Sequence, residues 1–339
     1  MERSGKMADQ QLADLQDGDH VQLFALIKDA QIRQTRKGDD YLSLTFSDRS
    51  GDLMGNLWDV NEEQEQSLTP GTVVYLEGTR SSYKDNPQVN IDSVRVATDN
   101  EPNDPADYVA RAPESEEQIK DELRPFLKAI DNPVWQKIVY YLIGQHGEAF
   151  FKSPAAKSNH HAFVGGLSYH TLSILRLAQS VCELYPVINK SLLYSGALLH
   201  DLGKTIELSG AIGTQYTVTG KLIGHISLID GEICTACEEL HLDQDAPEVV
   251  LLRHMVLSHH GLQEYGSPIR PQLMEAEILH HLDELDASIM MMQTALRKTA
   301  PGEFSDCIFA LDNRSFYRPL LNKKNEWRNT KYFIINMVV

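Results

Sequence analysis

The period of the hydrophobic pattern changes once along this chain, near residue 110, and that change restricts it to a β part followed by an α part. Before it, short apolar runs are bounded by turn residues. The runs are Val21–Ile27, Tyr41–Phe46, Leu53–Trp58, Thr72–Gly78 and Val89–Val96. Ser47–Gly51, Pro70-Gly71 and Asp85-Asn86-Pro87 supply turns between them, as strands require. A helical piece, Val60–Leu68, follows the third run. From Glu114 to about Lys298 the apolar residues recur at the helical period. Asn132-Pro133 opens one of these helices, because proline is tolerated in a first turn. Thr98–Pro113 holds three prolines and many acids, which predicts a linker.

Five strands with a helical insert after the third is the order of an OB-fold barrel. The expected architecture is a five-stranded OB-fold β-barrel over residues 18–97, a linker over 98–113, and an all-α domain over 114–319. Residues 320–339 mix basic and apolar residues in a pattern with no convincing reading. A chain of 339 residues accommodates two domains of about 150 residues each. It contains no apolar run of the roughly 18 residues that a membrane span needs. Met1–Gln10 is polar, unlike a secretory signal. Four cysteines are too few for a disulfide framework, so a reducing cytoplasm is the expected compartment. Cys234 and Cys237 share one face of an apolar-periodic stretch, Leu222–Leu240, and are read as packing residues.

All but one of the thirteen histidines lie in the helical part, and their phase carries the argument. His170 sits on the apolar stripe that runs through Ile174, Leu177 and Val181. His200 ends the stripe of Leu193, Gly196 and Ala197. His225 is expected to share a face with Leu222, Ile229 and Ile233, His259 with Leu252 and Val256, and Asp283 with Leu279 and Leu282. One inward histidine is ordinarily a satisfied core residue. An unpaired inward aspartate is costly. Several helices each turning His or Asp inward point to a shared divalent metal of the first transition row.

His200-Asp201 is an adjacent pair, so a helix end must turn both side chains toward one centre. Gly203 is the expected helix stop. An aspartate in that position can bridge two cations. Lys204 then stands beside them as a point charge for a substrate phosphate. His254, His280 and His281 are read as surface or core residues.

His170, His200-Asp201 and Asp283 resemble the H…HD…D signature of the HD phosphohydrolase superfamily. His225 and Ser258-His259-His260-Gly261 resemble its two-metal extension, with His259 or His260 as the ligand. Asn159–Ser173, Leu198–Lys204, Leu257–Gly261 and Leu279–Ala287 are similar to the YhaM-type 3′–5′ exoribonucleases, which pair an OB domain with an HD domain. The resemblance covers about residues 18–319. It implies two divalent ions, of the Mn²⁺ type, that activate a water against the 3′ end of single-stranded RNA, with single-stranded DNA as a further substrate. It also places His160 and His161 beside the active site.

The barrel would hold the strand through stacking and positive charge. Its candidates are Arg33, Arg36, Lys37, Tyr41, Trp58, Arg80, Tyr83 and Lys84. The net charge of −17 runs against phosphate binding in general, and residues 18–97 hold 8 basic against 13 acidic residues, so any cationic face is local. Two rival readings remain open: an HD hydrolase of a small nucleotide or cyclic dinucleotide, and a non-catalytic nucleic-acid regulator. The intact ligand pattern disfavours the second. A homo-oligomer is compatible with the sequence.

Overall fold

Alternation in the first hundred residues produces a closed barrel. A computed structural model describes residues 10–35, 38–83, 86–156 and 163–320. The strands are β1 (His20–Gln34), β2 (Asp40–Asp48), β3 (Gly51–Trp58), β4 (Val73–Tyr83) and β5 (Asn86–Val96), in the order β1-β2-β3-β5-β4, with β4 closing back on β1. All pairs are antiparallel except β3 with β5. The helix α1 (Glu62–Ser67) follows β3 and is capped by Asn61. Residues of one parity, among them Val21, Leu23, Leu42, Leu44, Phe46 and Leu76, fill the interior. β1 extends seven residues beyond the apolar run Val21–Ile27. Its second half pairs only with β2 and is largely exposed, so its strand character comes from the ladder and leaves no hydrophobic signature.

The segment after the barrel is held down at both ends. Arg95 and Glu101 form a two-bond ion pair, 2.7 Å for each bond. Val109 packs with Leu26 and Val73, and Arg111 pairs with Val164.

The helices are α2 (Glu116–Lys128), α3 (Pro133–Lys152), α4 (Gly166–Leu184), α5 (Lys190–Leu199), α6 (Lys204–Glu207), α7 (Val218–Ile223), α8 (His225–Glu239), α9 (Pro247–Ser258) and α10 (Met274–Lys298). Asn132 caps α3 by accepting from the backbone of Val134 and Trp135, and Pro133 stands at its first position. α5 is buried from Ser191 to Leu199 and packs against α3, α4 and α9. Leu193, Ala197, Leu199, Ile229, Leu252 and Leu279 belong to the single core around it. The chain divides into compact units at Asp283 and Glu284. From Glu284 it completes α10 and, among the described residues, then forms two isolated antiparallel bridges, Phe304 with Tyr317 and Ile308 with Arg314. Among the described residues, no helix is long and apolar enough to cross a membrane.

Two sequence expectations are corrected here. Leu222–Leu240 is two helices, broken at Gly224 with φ of 78°, a conformation that side chains with a Cβ resist. Leu222 consequently lies on α7, 80% exposed, and shares no face with His225. Gly203 is not a left-handed helix stop either. It has helical dihedrals and begins α6. Its lack of a side chain serves a close approach instead, since a Cβ there would lie 2.3 Å from the carbonyl oxygen of His225.

Candidate metal centre

Five helices deliver the histidines and aspartates to one place. α4 contributes His170 from its second turn, and the end of α5 presents His200 with Asp201 just beyond it. His225 is the first residue of α8, and His259 caps the end of α9 with His260 next to it. Asp283 comes from α10. His170, His200, Asp201 and His259 are essentially inaccessible to solvent.

Asp201 stands at the middle, and its two oxygens face different neighbours. Oδ2 lies 3.6 Å from His170 Nε2, 3.5 Å from His200 Nε2 and 2.7 Å from Lys204 Nζ. Oδ1 lies 3.4 Å from His225 Nε2 and 3.8 Å from His259 Nε2. Asp283 Oδ1 approaches His170 Nε2 at 3.1 Å. Donor atoms thus gather into two sets that share Asp201: His170, His200 and Asp201 in one, and Asp201, His225, His259 and His260 in the other.

The hydrogen bonds determine which ring nitrogen is free. Nδ1 of His200 lies 2.8 Å from the Ala197 carbonyl, that of His259 2.7 Å from Val256, and that of His260 2.6 Å from Tyr265. A carbonyl only accepts, so each Nδ1 carries a proton and Nε2 is the nitrogen left to face the centre. His225 does the same against the Glu207 carboxylate, 3.2 Å away.

Protonation follows from burial and neighbouring charge. Burial, reinforced by His260 and His200, holds His259 well below the usual histidine value, so its ring is neutral at pH 7. Burial and the nearby His225 lower His260 as well. For Asp201, burial alone would raise the pKa, but the Lys204 ammonium and His200 outweigh it and hold the carboxyl well below the carboxylate range. Asp283 is depressed likewise, burial being outweighed by His170. Lys204 is raised, because Asp201 and Asp283 outweigh its burial. Glu207 is lowered, its burial offset by His225.

Whether this pocket suits divalent cations is decided by its unsatisfied atoms. Asp201 Oδ1, His225 Nε2 and His259 Nε2 are buried and have no hydrogen-bond partner among the described residues. Each such atom costs about 1–3 kcal/mol. All three converge on one space, and all offer lone pairs that a cation would satisfy. The mixture of imidazole and carboxylate matches a first-row divalent metal.

The barrel's candidates divide. Arg33, Tyr41 and Trp58 fall in one cross-strand row, Arg33 opposite Tyr41 and Tyr41 opposite Trp58. The Tyr41 and Trp58 rings lie 4.7 Å apart, and Trp58 is 55% exposed. Tyr83 is exposed near the end of β4. Arg80 departs from this group: its side chain is nearly buried and paired with Asp17 at 2.6 Å, so it has no charge to spare for a phosphate. Arg36, Lys37, Lys84, His160 and His161 lie outside the described residues.

Two residues touch the centre indirectly: Glu207, given no role in the sequence reading, and His280, read there as a surface or core residue. Glu207 holds His225. His280 Nδ1 lies 3.0 Å from the carbonyl oxygen of His259 and packs its ring where a side chain on Gly261 would stand. Glu207 carries a usable signal, since Asp201, Lys204 and Glu207 recur at every third residue. His280 carries none, because its partner is a backbone atom.

Residues 167–288 match the HD domain family, and residues 21–97 match a family described as OB-fold nucleic acid binding domain. Among solved structures, the chain is similar to the second OB-fold domain of replication protein A from Methanococcus maripaludis, at 17% identity over 26% of this chain and 92% of that one, with a TM-score of 0.21. It is similar also to Entamoeba histolytica asparaginyl-tRNA synthetase in complex with asparaginyl-adenylate, at 15% identity and a TM-score of 0.22. That match covers 43% of this chain but only 36% of the synthetase. The chain is therefore an OB-fold barrel followed by a helical HD domain, a pairing that points to a metal-dependent phosphohydrolase of nucleic acid.

Proposed function

We propose that this protein is a 3′–5′ exoribonuclease of the YhaM type, hydrolysing single-stranded RNA, and single-stranded DNA as a second substrate, with two divalent cations, Mn²⁺ foremost. The observation that carries the reading is Asp201, whose two oxygens face two separate sets of histidines while three buried donor atoms there lack hydrogen-bond partners among the described residues. Cations bound there would supply Lewis-acid polarisation of a phosphate and an activated water.

The chain's own residues do the rest. His170, His200 and Asp283 support one set, and His225, His259 and His260 the other. Burial lowers the His259 and His260 rings, and the depressed Asp201 and Asp283 carboxyls are ionised, so these groups offer lone pairs at pH 7. Lys204 is already ionised and fixed on Asp201 Oδ2. An ammonium held there opposes the negative charge that grows on a phosphate during attack, and so favours the transition state over the ground state. The row of Arg33, Tyr41 and Trp58 offers two stacking rings and one cation to a single strand. A small nucleotide has no need of such a row, which favours a polymeric substrate over a cyclic dinucleotide.

The test is incubation of the purified protein with Mn²⁺ and RNA labelled at either end, with products resolved over time. The 5′-labelled strand should shorten one nucleotide at a time while the 3′-labelled strand releases mononucleotide at once. Release of internal fragments, or hydrolysis of a cyclic dinucleotide with intact RNA, overturns the reading.

A further inference from the structure

Three of the five histidines in the two sets have the back of the ring tied to a backbone carbonyl, and His225 is tied differently. His200, His259 and His260 bond Ala197, Val256 and Tyr265. Each carbonyl lies three residues before its histidine, or five after it in the case of His260, so ring and anchor belong to one local stretch of chain. His225 has no such local anchor. It is the first residue of α8, preceded by a glycine in a left-handed conformation, where the backbone does not define a ring orientation. Its anchor is the carboxylate of Glu207, eighteen residues earlier, which accepts from the His225 backbone N–H at 3.2 Å and meets Nδ1 at 3.2 Å.

Glu207 is itself held from several sides. Its backbone carbonyl accepts from Thr217 N at 2.9 Å. Gly220 packs so closely that a Cβ would lie 2.4 Å from that same oxygen. Gly203 approaches the His225 carbonyl equally closely, which presses α6 against the start of α8. The single turn of α6 therefore reaches both halves of the centre. Lys204 contacts Asp201 Oδ2 on one side, and Glu207 grips His225 on the Oδ1 side.

We propose that Glu207 is a positioning residue for one cation of the pair: it orients His225 so that Nε2 faces the set of Asp201, His259 and His260, and it controls occupancy of that set alone. The inference rests on the two-cation reading above. A carboxylate behind a ligating imidazole fixes the tautomer and makes the ring a stronger donor than a carbonyl can. Losing it should lower affinity at the site it supports by about 10- to 100-fold. The other set takes His170 and His200 on the Oδ2 side of Asp201, whereas Glu207 holds a histidine on the Oδ1 side, so that set should be spared.

The experiment titrates the full chain, stripped of metal, with Mn²⁺ by calorimetry and by electron paramagnetic resonance. Wild type, Glu207→Gln and Glu207→Ala are compared, with circular dichroism to establish that each is folded. Glu207→Gln keeps the shape and the acceptor while removing the charge, so it remains informative if the alanine variant does not fold. Wild type should bind two Mn²⁺ and show the signal of a spin-coupled pair. The glutamine variant should keep one Mn²⁺ at wild-type affinity, with the second weakened and the coupled signal lost at concentrations that saturate wild type. Two ions bound equally tightly in wild type and the glutamine variant overturn the inference alone, as does equal weakening of both ions. A wild-type chain that takes up a single Mn²⁺ overturns the two-cation reading, and this inference with it.

Discussion

The barrel and the HD domain use charge in opposite ways. In the HD domain the chemistry-bearing groups are buried or half-buried, few in kind and interdependent: Lys204 holds one oxygen of Asp201, and Glu207 holds His225. On the barrel Arg33, Trp58 and Tyr83 are exposed, and cations such as Lys28, Arg80 and Arg95 are already paired with acids. Burial makes an unpaired polar atom expensive, so an orphaned atom in the HD domain is informative. Exposure makes a single contact weak, so the barrel can act only through a row of contacts.

That contrast is broken most directly at Asp201. Asp201→Ala should abolish hydrolysis and cut the content of bound metal, while circular dichroism shows the helices intact. Wild-type turnover with full metal content in this variant would leave the buried cluster without its role.

Lys204→Met comes next. It keeps the stem and removes the charge, and should lower single-turnover rates on a short RNA by roughly one to three orders of magnitude. Metal stoichiometry should not change, because an ammonium cannot be a ligand. An unaltered rate would make Lys204 no more than a counter-ion for Asp201.

The barrel should respond more mildly and only with long substrates. Tyr41→Ala with Trp58→Ala should weaken binding of a long single strand by roughly 10- to 100-fold, the scale of losing base stacking. Hydrolysis of a dinucleotide should be unaffected, as kinetics on the two substrates would show. Equal losses on both would erase the division of labour between the domains.

The smallest effect concerns the segment after the barrel. The Arg95 guanidinium, aided by Thr98, lowers the Glu101 carboxyl from 4.5 to about 2. A carboxylate depressed in the folded state stabilises it above the unfolded value and loses that contribution as pH falls toward 2. Glu101→Gln should therefore melt slightly below wild type at pH 7, with the gap closing from pH 4.5 down to about pH 2. The pair is solvent-exposed, so the difference should be a degree or so, read by calorimetry at moderate salt. A gap that widens on acidification would reverse the assignment.

The two domain types, the inward phase of His170, His200, His259 and Asp283, and the turn forced by adjacent His200-Asp201 were all legible in the chain. Each depends on a period of two or 3.6, or on spacing within one element, and such local geometry is written in consecutive residues. The sequence was also enough to set Lys204 beside the centre, three residues past Asp201. Other features came only with tertiary structure. Leu222 and His225 look like one helix face until Gly224 separates them. Arg80 resembles Arg33 until Asp17 claims it, a partner 63 residues away. Glu207 meets His225, and His280 meets the backbone of His259, through contacts between elements. Nor can any local pattern tell which oxygen of Asp201 faces which histidines. A helix's own sequence states which side of it is buried, whereas the atoms that meet there depend on how separate helices are placed against one another, and only packing decides that.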